Sequence, residues 1–568
     1  MPSIVPKKIH GQTYYYAVWS ARVNGHPRIV KQKYLGRVEQ LIETLEGTAP
    51  TTPRKVVIAE FGAVAALFSM AEKLGLAELI DSYTPKRTQG LTVGHYITLA
   101  TINRAVRPLS KNRFEKWYRS TILTRLIPAH KGALSSQRFW DHMSYFEKST
   151  IREIQGALTK RVIEQFGIDL TSLVYDGTNF FTFINTRTRS RLAQRGHNKA
   201  KRNDLRQISL GLVVSREFHI PLLFDTYPGN LSDSQEFLRI LKDLLPRYRS
   251  LCGQAELTLV FDKGNNSEAN FKQIKRLSGL HFIGSLVPSQ HVDLLEIPLS
   301  RFQALEGQRL QGVLAYRTRK EVFGAERTVV VTYNPRLFRG QKNGLRVHLR
   351  KKLKKLKELR ERLTRRREGK TRGGRAPTLQ SVQDQVEKIR EGVPFRDVIA
   401  AKVRKTKRGL GLVFRLDRPA LQRYCQQLYG KTILFTDNHP WETKDIVLGY
   451  RAQYRIEDAF REMKDPEAFC WWPQFHWTDQ KIEVHAFYCV MALLLTSLLQ
   501  RELHRQGIDL SIPSMLEALR GIREVLLIYP GRGETGKGRR LGALVLSEMD
   551  DTQQQIFKAL NLERFLAG

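Results

Sequence analysis

The chain has 568 residues, 41% of them hydrophobic, a length that exceeds what one core organises and implies two to four domains. Its net charge of +39 goes beyond the needs of solubility and sets nucleic acid ahead of an acidic membrane surface as the expected partner. Widely spaced Cys252, Cys425, Cys470 and Cys489 argue against a zinc module or disulfide framework, the first residues lack an apolar signal region, and the longest apolar run, 486–499, is short for a bilayer; a cytoplasmic protein with no membrane partner is expected.

Two β-rich runs, 14–19 and 28–35, flank Asn24-Gly25, a strong hairpin signal, so a small β-module is expected over 1–50. Threonines and prolines at 48–53 mark a linker. From 60 to 166 the apolar spacing is helical, broken at Gly75, Gly90 and Pro108, and Ser135 opens a capped helix. This predicts a helical domain over 55–165, readable equally as a DNA-reading helix-turn-helix or as a plain scaffold.

The texture becomes α/β at Leu170. Strand-like runs at 172–184, 207–214 and 219–224 form a predicted meander, Pro228-Gly229-Asn230 turns the chain, and Asp233 with Glu236 is a capping pair for a helix through 245. A strand ending at Asp262, a helix through 277 and a strand at 281–287 complete the first part of a core over 168–290. Three strands, helix, strand, helix, strand is the ribonuclease H-like order, and the element still owed is a helix bearing a last acid.

A long insertion, 291–440, delays that helix. It carries a strand-like run at 327–333, a basic helix, and another strand-like run at 431–436. Over 350–375 there are fourteen Lys/Arg against three Glu, a net of +11, while Leu349, Leu353, Leu356, Leu359 and Leu363 form one apolar stripe beneath the basic surface. Solvated charge is the ordinary reading of such a helix; the charge excess of the whole chain favours phosphate contact. The core resumes over 441–505 with the predicted catalytic helix, followed by a C-terminal region, 506–568. There Gly531 to Lys537 imitates a nucleotide-binding loop, but Gly538 stands where a Ser or Thr hydroxyl is required, so a hairpin loop is expected.

Three acids stand out. Asp176 and Asp262 end or interrupt apolar strand-like runs, and Glu457 shares a helical sector with Tyr450, Gln453, Arg461 and Lys464, opposite Ala452, Ile456, Ala459 and Met463. Carboxylates from separate elements that converge in a fold must be paired or hold cations, and Mg²⁺ takes such hard oxygen ligands. Two ions held ~3.5–4 Å apart cleave phosphodiesters, one activating water or a 3′-hydroxyl and one stabilising the departing oxygen. Arg461 and Lys464 suit phosphate contact, and Tyr450 suits stacking or backbone contact. His197 and His476 lack metal-ligand spacing, and Trp471, Trp472 and Trp477 read first as core.

These residues resemble the DDE transposases of bacterial insertion sequences, in the branch whose last acid sits in Tyr-x2-Arg-x3-Glu-x6-Lys. Here the series is Tyr450, Gln453, Glu457, Lys464, with Gln in the Arg position and Arg451 or Arg455 beside it as replacements. Further matching pieces are Gly196-His197-x-Lys199, Pro228-Gly229-Asn230-x-Ser232-Asp233, Asp262-Lys263-Gly264 and Phe475-His476-Trp477. The resemblance implies a multidomain α/β protein: a ribonuclease H-like catalytic core interrupted by a β-rich and helical insertion, with N-terminal β-hairpin and helical domains. It implies that Asp176, Asp262 and Glu457 bind two Mg²⁺ ions, with Mn²⁺ able to substitute, and that Tyr450, Gln453, Arg461, Lys464, His197 and Lys199 contact DNA. The expected activity is cleavage at the terminal inverted repeats of an insertion sequence and joining of the 3′ ends to target DNA, by a homodimer in the synaptic complex, in the bacterial cytoplasm. The competing expectations are a silent, transposase-derived DNA-binding protein and a ribonuclease H-like nuclease without strand transfer.

Overall fold

The computed structural model describes residues 3–23, 26–45, 52–85, 89–185, 187–198, 201–252, 256–371, 373–465, 471–529 and 542–566. The chain divides into two units, one made of 1–66, 115–128 and 514–568, the other of 67–114 and 129–513.

In the first unit, strands β1 (Ser3–Ile9), β2 (Gln12–Val23) and β3 (His26–Gly36) form an antiparallel sheet in that order. The expected hairpin thus gains a leading strand; the Asn24-Gly25 turn itself lies outside the described residues. Strand β4 (Lys55–Glu60) follows, and it finds its partner only near the chain's end.

The second unit holds the large sheet. Strands β5 (Ser172–Thr182), β6 (Arg206–Ser215) and β7 (Pro221–Pro228) form the antiparallel meander, and β8 (Leu257–Val260) and β9 (Leu280–Leu286) add in parallel on the other side of β5. Strands β6 to β9 and the first four residues of β5 are almost wholly buried, as expected for a sheet covered on both faces. The helix Asp479–Arg505, which carries the long apolar run, packs on β7 and against the helices Val93–Val106 and Lys148–Phe166, with 486–499 buried throughout. At the start of the helix Asp233–Cys252 the cap falls to Ser232, whose N–H donates to Gln235 Oε1 at 3.4 Å, in place of the expected pair. Glu236 is buried and accepts from the Arg239 guanidinium at 2.7 and 2.9 Å, because an ion pair satisfies a buried carboxylate better than one backbone N–H.

Most strands of the insertion join the core sheet, and one hairpin forms a small sheet of its own. Strands β10 (Gln303–Ala304), β11 (Leu314–Val322) and β12 (Ala325–Tyr333) continue the core sheet through a later strand that pairs with both β12 and β9. Between them the helix Pro335–Arg367 lays its leucine stripe on a separate cluster, with the helix Leu379–Arg390 and the hairpin β13 (Ile399–Thr406) and β14 (Gly409–Leu416). The linking strand is β15 (Lys431–Thr436), so the sheet runs β10-β11-β12-β15-β9-β8-β5-β6-β7.

The C-terminal region returns to the first unit. Strand β16 (Arg523–Ile528) lies between β4 and β17 (Gly542–Leu546), antiparallel to both. The Gly531–Lys537 segment, expected as a hairpin loop, lies outside the described residues.

Candidate active site

Parallel pairing sets the first two acids side by side. Strands β5 and β8 pair as Ser172↔Thr258, Leu173↔Leu259 and Val174↔Val260. Two residues further along each chain come Asp176 and Asp262, and neighbouring strands lie ~4.8 Å apart. By alternation each acid shares a face with the valine two places before it. Strand β5 continues, with Asp176 opposite Leu212 of β6, whereas β8 ends at Val260. Asp262 caps the short turn Lys263–Asn265, accepting the Asn265 N–H on its backbone oxygen at 3.0 Å. The space that β8 vacates is therefore bordered by both carboxylates.

The third acid comes from the helix Gln453–Glu462, which packs on β5. Ile456, Ala459, Phe460 and Met463 bury its apolar side and Glu457 is exposed. Behind the helix, the Lys464 ammonium donates to the Thr178 hydroxyl and stands 5.4 Å over the Phe180 ring, so it is fastened to the face of β5 that carries Asp176. The preceding helix, Thr443–Arg451, supplies Tyr450, whose hydroxyl donates to Asp262 Oδ1 at 3.5 Å and accepts from the Ser285 hydroxyl at 2.8 Å. Burial, with the Asp262 charge beside it, pushes the Tyr450 phenol up to about 12, so it remains a donor at neutral pH.

Electrostatics show the acids acting on one another. Burial raises Asp176 most, the Gly177 N–H at 2.8 Å pulls against it, and the charges of Asp262, Glu457 and Asp233 add to the rise, bringing the carboxyl to about 7. Asp233, which local sequence reads as a capping residue, stands beside these acids. Its two oxygens lie 3.9 Å from where Cβ atoms on Gly177 and Gly264 would stand, beside the residue after Asp176 and inside the Asp262 turn. Its signal in the sequence is the Pro228–Asp233 piece of the motif series.

Among the described residues, no three His, Cys, Asp or Glu side chains stand close enough together to enclose a metal ion. The donor chemistry nevertheless fits a divalent cation. The groups are carboxylate oxygens, they come from three elements, and their mutual repulsion is what a cation would relieve.

The other expected contact residues are dispersed. Gln453 is buried at 6% exposure on the inner side of its helix. Arg461 is exposed and pairs with Asp458 at 2.7 Å. His197 is exposed, in a loop whose carbonyl at 197 and that of Gly229 both accept from the Gln207 amide, at 3.1 and 2.7 Å. Two pieces of the motif series thus meet, and Gly196 permits it, since a Cβ there would lie 2.1 Å from Gly229 O. Lys199 lies outside the described residues. Trp471 is core, stacked on Phe180 at 4.1 Å, while Trp477 and Phe475 are exposed. With Phe183, Arg187 and Arg189 they line an open cleft of about 840 Å³ beyond the end of β5. Sequence reading missed this cleft because its sides come from segments nearly 300 residues apart.

A mixed sheet that presents an acidic centre where a parallel strand stops, crossed by a helix with a further acid, defines a mixed α/β protein of the DDE class. The family described as "Transposase DDE domain" matches residues 181–495, more than half of the chain, and the chain belongs to that family. The match includes Asp262 and Glu457 and begins five residues after Asp176. Among solved structures, a piggyBac transposase synaptic complex with hairpin DNA shares 9% identity at a TM-score of 0.35, covering 82% of each chain. No curated relative matches the chain.

Proposed function

We propose that the protein is an insertion-sequence DDE transposase of the Tyr-Arg-Glu-Lys branch, with a ribonuclease H-like core formed by β5 to β9, and that it cleaves the ends of its element and joins them to target DNA. The observation that supports this reading is the placement of Asp176 in β5 and of Asp262 just past the end of the adjacent parallel strand β8, with Glu457 close enough to raise the Asp176 carboxyl.

In this reading Asp176, Asp262 and Glu457 would hold two Mg²⁺ ions, which would supply Lewis acidity at the scissile phosphate. Tyr450 orients Asp262 by tethering it toward β9. Lys464 holds the Glu457 helix against β5 and lends positive charge beside the acids. The exposed Arg187, Arg189, Phe183 and Trp477 give a strand leaving the site cationic and stacking contacts. The protein works on double-stranded DNA, as a homodimer when the two ends are paired, in the bacterial cytoplasm.

The test is cleavage of a labelled fragment bearing the inverted repeat that flanks the reading frame, with Mg²⁺ or Mn²⁺. Wild type should nick the end; Asp176→Ala, Asp262→Ala and Glu457→Ala should each abolish nicking while end binding stays within about twofold. Wild-type cleavage by any of them removes that residue from the centre. A silent, DNA-binding relative is the second reading, favoured by Gln453 in the signature's Arg position; a wild-type protein that binds ends and never nicks them would establish it.

A further inference from the structure

Behind the Trp471–Trp472 segment the second unit contains a cavity of about 320 Å³ that the catalytic reading does not use. Its lining combines Arg104, Lys111 and His476 with Trp140 and Tyr488, and among the described residues no Asp or Glu borders it. Lys111 is 9% exposed and its ammonium has no hydrogen-bond partner; it rests 4.3 Å from the Tyr488 ring centroid and 4.7 Å from that of Phe139. His476 is 5% exposed with an unpartnered Nδ1. Arg104 is held in place by donating to the Trp472 carbonyl at 3.0 Å.

Burying an ammonium away from any anion is costly, and aromatic faces return only part of its lost hydration. The electrostatics agree: burial and Arg104 push Lys111 well below its usual range, and burial with Lys111, Arg104 and Lys481 drives His476 down to about 3. The cavity also receives first-turn residues of two helices, Lys111–Tyr118 and Ser136–Met143, whose N-terminal amides favour negative charge. Asn112 and Phe475 at its mouth are exposed, so a ligand can enter from solvent. Its volume is at the small end of ligand pockets and leaves room for more than a bare ion.

We propose that this cavity binds one phosphate group, carried either by a free nucleotide or by a phosphodiester of a DNA strand, with Lys111 and His476 as its buried contacts and Trp140 and Tyr488 flanking the attached nucleoside. The inference stands on this cavity alone and does not depend on the carboxylate centre.

The test uses full-length, metal-free protein and calorimetric titration with inorganic phosphate and with thymidine 5′-monophosphate. Wild type should bind both, the nucleotide more tightly, and Lys111→Met should weaken both by roughly tenfold, the effect of one charge-assisted hydrogen bond. Asn112→Glu is the second variant. It places an acid at the mouth in a first helical turn, where acid favours the helix, so the protein folds and should lose affinity similarly. A labelled single-stranded oligonucleotide separates the sources. Equal loss of oligonucleotide affinity in both variants, with competition by the nucleotide, assigns a DNA phosphodiester; unchanged oligonucleotide affinity assigns a free nucleotide. No binding of either probe by wild type, or wild-type affinity in folded Asn112→Glu, overturns the site. Neither outcome requires cleavage, so failure here is separate from failure of the transposase reading.

Discussion

Asp176 and Asp262 lie two residues beyond the same cross-strand pair, Val174 and Val260, on adjacent parallel strands. Because β8 ends at Val260 while β5 runs on to Thr182, the two carboxylates face a space with no strand in it. That arrangement sets both the local charge problem and the room for its solution.

The charge problem gives a pH-dependent prediction for metal-free protein. Asp176 titrates near 7 in the fold, against an ordinary carboxylate value when unfolded, so the fold favours the protonated form. Its stabilising contribution is full below about pH 4 and is lost as pH rises through about 7. Asp176→Asn mimics the protonated state at every pH. In chelator, the variant should be more stable than wild type at pH 8, by on the order of 2 kcal/mol after solvent screening, and the gain should fade to nothing near pH 4. Urea denaturation at pH 4.5, 6 and 8 measures it; a gain independent of pH would mean that Asp176 carries no such strain.

Metal addition should act in the opposite sense. Mg²⁺ should raise the melting temperature of wild type at pH 8 and leave Asp176→Asn nearly unmoved, since ligand binding to the folded state stabilises it by mass action. An equal rise in both proteins would place the ion elsewhere.

Tyr450 is a positioning residue in this scheme. Tyr450→Phe keeps the ring and deletes the hydroxyl that ties Asp262 to Ser285. Outer hydrogen bonds to metal ligands are commonly worth ~10–100-fold in metal affinity, so the Mg²⁺ concentration for half-maximal cleavage should rise by about tenfold, with little change at saturating metal. A fall in end binding without that shift would instead make Tyr450 a DNA contact.

Much of this neighbourhood was legible in the sequence, for physical reasons. The runs at 172–175, 207–214 and 257–260 are buried on both faces and so nearly continuous in apolar character, and an Asp following such a run announces itself. What was hidden depended on distant partners. Pairing of β15 with β9 joins residues about 150 positions apart, and β16 with β4 more than 460, which no local period reveals. A single helix over 450–464 would set Gln453 on the polar sector. The chain turns at Ala452, whose N–H is shared between the Leu448 and Gly449 carbonyls, and beyond that turn Gln453 faces inward. Strand β1 escaped notice because Pro6, Lys7 and Lys8 give it little strand character.

The basic helix Pro335–Arg367 gives a stability prediction that bears on its role. Leu356 is fully buried among Val382, Val386, Ile399 and Leu412, while the Lys/Arg surface of the same helix is exposed. Leu356→Ala should destabilise this cluster by ~2–5 kcal/mol, seen as earlier exchange of amides in 335–416, without altering the exposed charge. Exchange unchanged in that segment would show the stripe to be weakly packed.

Lys464 separates structural from DNA-binding roles most cleanly. It touches Thr178 and the Phe180 ring, so Lys464→Met keeps the stem and removes the charge. If the ammonium also meets a phosphate, end binding should weaken and the slope of log affinity against log salt should become shallower by about 0.9, the share of one released counterion. If Thr178 is its whole purpose, the salt slope stays fixed and only stability falls, by ~1 kcal/mol for the lost hydrogen bond. Thr178→Val controls the comparison, because it removes the hydroxyl acceptor and keeps the ammonium. That variant should retain the wild-type slope, whereas a slope lowered equally by both substitutions would show that Thr178 must hold Lys464 in place for the phosphate to be met.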